Sequence, residues 1–282
     1  MRPSLLKRLR ATVTSLLCFA APSLGFGQVT DVAPNPGAAI HAIGVALGVN
    51  DVHMQDQYLT PFIYRGQNFS ARVTYALSIG NQRHMIEGTF STGGLASDAQ
   101  AREMTHYAGS FSYAYLHALH AWEMGGVPAR IFIGAVISSF AMETDIFTPN
   151  SINWYVRVED GYYWSHALSL RMAAEYGRPE SDILTIHAEI PLVSIVSRPE
   201  AAHYQSQRNL EVNENFLNAA TKGSLAFPWD SFALRASVDY QHTIGEHCAV
   251  RGTYDFIFAA SDRPLHMDVY MNRLLVGLEV LF

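Results

Sequence analysis

Cysteine is nearly missing from this chain of 282 residues, which has only Cys18 and Cys248. Lysine is equally scarce, with Lys7 and Lys222 alone. Charged residues make up 16% of the chain, against about 25% in an ordinary soluble domain. Low charge often signals membrane helices, but long apolar runs are lacking too. Past the first 27 residues the longest clean stretch runs from Ile131 to Met142, between Arg130 and Glu143. A spanning helix needs roughly 20 apolar residues, so this stretch cannot be one. A chain that is apolar on average yet never apolar for long is what strict alternation produces.

The N-terminus sets the compartment. Arg2, Lys7, Arg8 and Arg10 precede an uncharged, largely apolar run from Ala11 to Ala21, and then the small residues Gly25 and Gly27 flanking Phe26. A basic start, a short apolar core and small residues before a cut form a secretory signal peptide, placed here at residues 1–27. A lipoprotein signal is excluded because Leu17, not a small residue, precedes Cys18. Cleavage leaves Cys248 alone, so no internal disulfide can form. It also removes four of 19 basic residues and none of 25 acids, which leaves 15 against 25, a formal charge of −10. This is no nucleic-acid footprint.

From Phe69 to Ile79 one parity reads Phe69, Ala71, Val73, Tyr75, Leu77, Ile79, and the other Ser70, Arg72, Thr74, Ala76, Ser78. Successive side chains of a strand face opposite ways, so this is one apolar and one polar wall. Ile43, Val45, Leu47 and Val49 repeat the pattern, as do Leu274, Val276, Leu278, Val280 and Phe282. The spacing predicts ten strands, at 40–50, 68–79, 83–92, 106–122, 129–142, 161–176, 183–197, 231–243, 249–260 and 271–282. Short glycine turns then alternate with long loops at 51–67, 93–105, 143–160, 198–230 and 261–270, the asymmetry of a transmembrane barrel with its short turns periplasmic. Segment 152–160 is an extra candidate strand that raises the count to 12. Pro191 falls inside the seventh strand and predicts a bulge there or a position above the lipid. Aromatics near the strand ends, including Tyr64, Tyr163, Trp164, Tyr270, Trp122, Tyr176 and Phe282, suggest girdles at both rims.

The last strand, with Leu278, Val280 and a final Phe282, resembles the terminal strand of bacterial outer-membrane β-barrel proteins as a class. The resemblance implies recognition by the outer-membrane assembly machinery, a location in the bacterial outer membrane, and contact with its lipid and lipopolysaccharide. The expected fold is all-β: a closed antiparallel transmembrane barrel over residues 38–282, after a periplasmic segment at 28–37.

Inward parity places Arg72, Glu87, Arg171, Glu175, Arg235, Asp239, Arg251, Asp255, Arg273 and Glu279 in the lumen. Barrels of about 8 strands are filled by side chains, whereas open channels come at about 16–18, so ten strands with balanced signs predict a plugged lumen. At the outer rim, Asp51 and His53 follow strand one, and His266 and Asp268 precede strand ten, its neighbour on closure. Converged, they would form an acid/base site for hydrolysis. The omptin-family outer-membrane proteases carry Asp and His at such a rim, but their full motif is not matched. A Ser–His pair on one face is not evident, since Ser165 and His166 are adjacent and point oppositely. No metal-finger spacing exists, and no cofactor is implied. The reading that results is a small non-enzymatic barrel with a structural, surface-contact or minor transport role; the alternative is a rim hydrolase.

Overall fold

The computed structural model describes residues 39–57, 60–97, 100–149, 155–178, 180–198, 221, 223–262 and 266–282. The predicted leader at 1–27 and the segment at 28–37 lie outside these residues. Eleven strands follow in chain order: β1 (Ala39–Asp56), β2 (Thr60–Ile79), β3 (Gln82–Ser97), β4 (Gln100–Met124), β5 (Val127–Pro149), β6 (Tyr155–Gly177), β7 (Asp182–Ser197), β8 (Ser224–Ala226), β9 (Ser231–Ile244), β10 (Cys248–Ser261) and β11 (Met267–Leu281).

Ten of these make the wall. Each pairs antiparallel with its neighbours, β6 with β7 and β1 with β11, so the sheet closes on itself. The short β8 only extends the wall beside Ser194–Val196 of β7, beyond the point where β9 pairing stops at Glu189 and Arg235. Closure runs to the last residue: the His41 N–H donates to the Phe282 carbonyl at 2.9 Å, and the Phe282 N–H donates back at 3.0 Å. Closure matters because every strand then has its ladder partners and no edge is left open.

The stagger follows from the register. A single ladder row passes through His106, Gly93, Asn68, Asn50, Arg273, Asp255, Ser237, His187, Ala173 and Phe132, and returns to β4 at Ala118. The return lies twelve residues from its start (118 less 106). A stagger of that size requires steeply tilted strands, about 35–45° from the axis. Tight turns gather at one end, where Gly125 and Gly126 adopt φ of 64° and 77°. Two successive positive φ values make a primed hairpin turn that any Cβ would strain.

Strand placement corrects the sequence reading in four respects. Segment 152–160 is no extra strand, since Tyr155–Asp160 is the beginning of β6. Much of the expected loops at 51–67, 93–105 and 143–160 is strand: β1 runs on to Asp56, β3 to Ser97 and β5 to Pro149. Tyr64 and Tyr163 belong to no girdle, because they point inward and are 0% and 2% exposed. The lumen is also not filled by ion pairs along its whole height, as described below.

One physical cause underlies the missed strand extensions. Along β1 the apolar residues Ile43, Val45, Leu47 and Val49 face outward, yet Val52 and Met54 further on face inward. No bulge separates them, since the register with β11 is unbroken. Apolarity changes sides while the strand continues. β11 mirrors this, with Met267, Val269 and Met271 buried inside and Leu274, Val276 and Leu278 exposed outside. Along β1 and β11 the outer face is apolar below the change; above it the outer face carries Asp51, His53, Gln55 and Asp268 while Val52, Met54, Met267 and Val269 turn inward.

Pro191 does sit at a bulge. Ser169 pairs with Pro191 and Leu168 with Val193, so Leu192 is the extra residue. The insertion swaps parity, so that Glu189 and Pro191 face inward below it and Ser194 and Val196 above.

Candidate functional site

The lumen has two storeys. All ten predicted lumen charges point inward in the lower one, joined by ion pairs. Arg72 contacts Glu87 at 3.7 Å and also Asp255. Arg235 reaches Glu87 at 2.6 Å and Asp255 at 3.3 Å. Arg251 bridges Asp239 at 3.1 Å and Glu279 at 3.2 Å. Three partners escaped sequence reading: Glu189, which holds Arg171 at 2.6 Å, and Arg83 and Arg130, which both hold Glu175. Parity predicts which side chains enter the lumen, but which of them meet across it depends on the stagger. A buried charge without its partner is destabilising by several kcal/mol, so these pairs are mutually obligatory.

The upper storey is mainly apolar, with one buried ion pair, Arg198 to Asp56 at 2.7 Å, among the described residues. Val52, Met54, Tyr64, Leu95, Met104, Met142, Tyr163, Met267, Val269 and Met271 form one cluster inside the barrel, each 2% exposed or less. Five of its members are methionines, flexible enough to fill an irregular gap. A water-filled pore through this level would leave its lining accessible to water. Below both storeys a cavity of about 770 Å³ opens at the short-turn end, lined by Arg83, Glu175, His187, Asp239 and Phe282 among others.

Of the rim residues, Asp51 and His53 form one pair, with His53 Nε2 3.0 Å from Asp51 Oδ2. His266 is held between two carboxylates, its Nδ1 2.8 Å from Asp262 and its Nε2 2.8 Å from Asp268. Partial burial opposes its charge, but the two carboxylate hydrogen bonds outweigh that and raise its pKa. When protonated, His266 donates through both ring nitrogens and offers no lone pair to a substrate. The four predicted residues share the outward face of neighbouring strands as two separate pairs, with Tyr270 directly opposite His53 and Gln55 opposite Asp268. Among the described residues no group of three or more His, Cys, Asp or Glu side chains is arranged to hold a metal ion.

A Ser–His pair that sequence reading missed lies on the outer wall, where Ser139 Oγ stands 2.8 Å from His166 Nδ1. The two are cross-strand partners on β5 and β6, a relation that only the register reveals. The ladder runs unbroken on both sides from Ile137 to Ala141, so its amides are committed to strand pairing rather than to an oxyanion.

No family model matches this chain, and no curated protein matches it in sequence. Among solved structures, the outer membrane protease OmpT from Escherichia coli aligns at TM-score 0.45 and 9% identity, over 88% of this chain and 98% of that one. The translocator domain of the autotransporter NalP from Neisseria meningitidis aligns at 0.38 and 10%, over 97% and 96%. The attachment invasion locus protein Ail of Yersinia pestis aligns at 0.30 and 10%, over 86% and 98%. At these scores nothing about activity follows, and the closed barrel rests on its own strand pairing.

Proposed function

We propose that this chain is an integral outer-membrane barrel with a closed lumen, working through its outer surface rather than as a channel or an enzyme. The observation that carries this reading is the upper storey, where large side chains from Tyr64 to Met271 fill the barrel with 2% exposure or less. The membrane location is supported by the lower outer wall, where Val45, Phe69, Val73, Phe111, Ile137, Val276 and Leu278 are all more than half exposed. An exposed apolar band of that extent is costly in water and favourable in lipid. Above the band, strand extensions with polar outer faces stand ready to meet lipopolysaccharide and extracellular partners. Purified protein in a planar bilayer is expected to give no single-channel steps above leak; stable unitary steps from the wild type overturn the closed-lumen reading.

A rim hydrolase is the second reading, favoured by two preformed His–carboxylate pairs on adjacent strands. Peptide and lipid cleavage by the protein in lipopolysaccharide-containing micelles tests it. No turnover is expected, and activity lost in either His53→Ala or His266→Ala would replace the first reading with the second.

A further inference from the structure

The lower storey contains an imbalance at its centre. Three arginines, Arg72, Arg235 and Arg273, surround two carboxylates, Glu87 and Asp255. Arg273 is the residue left over. Its side chain is 3% exposed, and its nearest acid is Asp255 at 3.6 Å, already engaged by the other two arginines. Among the described residues its Nε and Nη1 have no hydrogen-bond partner. A lysine in this position would shed its proton, but a guanidinium cannot, so the charge stays. The neighbouring acids do not absorb it. Glu189 is held by two hydrogen bonds from Arg171, at 3.1 and 2.6 Å; Asp239 and Glu279 share Arg251, and their surplus negative charge lies beside the open cavity at the short-turn end, away from Arg273.

Arg273 also faces an unfilled space. A cavity of about 100 Å³ lies inside the barrel between Arg273 and Arg235 on one wall and Ser112, Ser138, Ser165 and Ser169 on the other, with apolar side chains such as Phe140, Leu234 and Ile257 completing its lining. It has room for roughly three waters at about 30 Å³ each, and hence for a small ion with some hydration. Hydroxyls and guanidinium N–H groups are both donors to an anion. Glu189 at its margin is the one carboxylate of the lining among the described residues, neutralised by Arg171. Water in the cavity can solvate the guanidinium of Arg273 but cannot cancel its charge, and in a low-dielectric interior an uncancelled charge is the larger cost.

We propose that this serine-lined cavity holds a small inorganic anion, chloride or an oxyanion of similar size, as a fixed counter-ion to Arg273. The anion stabilises the barrel by completing a charge network that its own side chains leave one short. The proposal stands whether the barrel's role is structural or enzymatic, because it concerns only the lumen.

The test uses the refolded full barrel in zwitterionic detergent micelles, with gluconate as a bulky anion at constant ionic strength. Chloride, nitrate and phosphate are each exchanged in separately, and the thermal midpoint is read. A saturable rise with at least one of them is expected, and the anion that saturates identifies the class. Arg273→Met is expected to abolish the saturable response. Ser138→Ala combined with Ser169→Ala keeps every charge, and so keeps the proposal testable if Arg273→Met fails to fold; it is expected to weaken the apparent affinity about tenfold. Crystals soaked in bromide should show an anomalous peak between Arg273 and the serines. An unsaturable response to all three anions, one identical in the variants, or a bromide-free cavity means bulk salt only and overturns the proposal.

Discussion

At the residue scale, the outer wall gives the sharpest contrast. Val73 and Leu278 face outward at 56% and 67% exposure, while Thr74, one residue on, faces the lumen beside Glu279. Val73→Arg and Leu278→Arg should each cost about 2–4 kcal/mol in reversible unfolding from lipid vesicles, with less lost at Thr74→Arg. Equal losses at 73 and 74 would reverse the assignment of faces. His266 provides a pH test. Its pKa is raised, so the stabilisation from Asp262 and Asp268 is complete below the unperturbed value of about 6.5 and is lost as pH climbs through the raised one. NMR titration should place its midpoint above that of a free histidine, and Asp268→Asn should bring it down. Legibility at this scale was uneven. Inward parity of Arg72 or Asp255 is written in the local alternation, whereas the pairing of Ser139 with His166 needs the register of two strands 27 residues apart.

At the element scale, neighbouring strands come closest where glycine leaves room for the backbone. A Cβ on Gly134 would meet the Tyr115 carbonyl oxygen at 1.8 Å, and one on Gly48 the Leu274 oxygen at 1.9 Å. Backbone is the obstacle in both cases, so no side-chain adjustment relieves it. Gly134→Ala is expected to destabilise by about 1–3 kcal/mol, read from the urea midpoint in detergent. The bulge at Leu192 carries a second expectation. Deleting Leu192 keeps Ser194 and Val196 inward but makes the strand regular around Pro191, which has no N–H to give to the ladder. Folded yield should fall sharply, whereas Leu192→Ala, which keeps the residue count, should fold nearly as wild type. Pro191 signalled this irregularity in the sequence because a missing donor cannot be tolerated in an unbroken central strand.

At the scale of the whole molecule, closure depends on the two chain-end strands finding each other. Phe282 bonds to His41 through both backbone groups, and its ring stacks on that of His41 at 5.3 Å. Phe282→Ser should therefore lower the amount of folded protein, seen as loss of heat-modifiable migration on unboiled gels. Unchanged yield would remove Phe282 from both closure and assembly.

The sequence by itself determined the all-β barrel, its ten wall strands, the short-turn end and the side of the wall each lumen charge occupies. These follow from a period of two and from turn residues, both properties of neighbours in the chain. The tertiary structure alone decided where the strands end, which charges meet, and that the rim histidines form two outward pairs. A change of face explains the first: apolar side chains turn outward along Ile43–Val49 and inward at Val52 and Met54, so one continuous strand reads as two unlike segments. The stagger of twelve residues explains the others, because it sets which rows of side chains face one another across the lumen, and no short stretch of sequence records it.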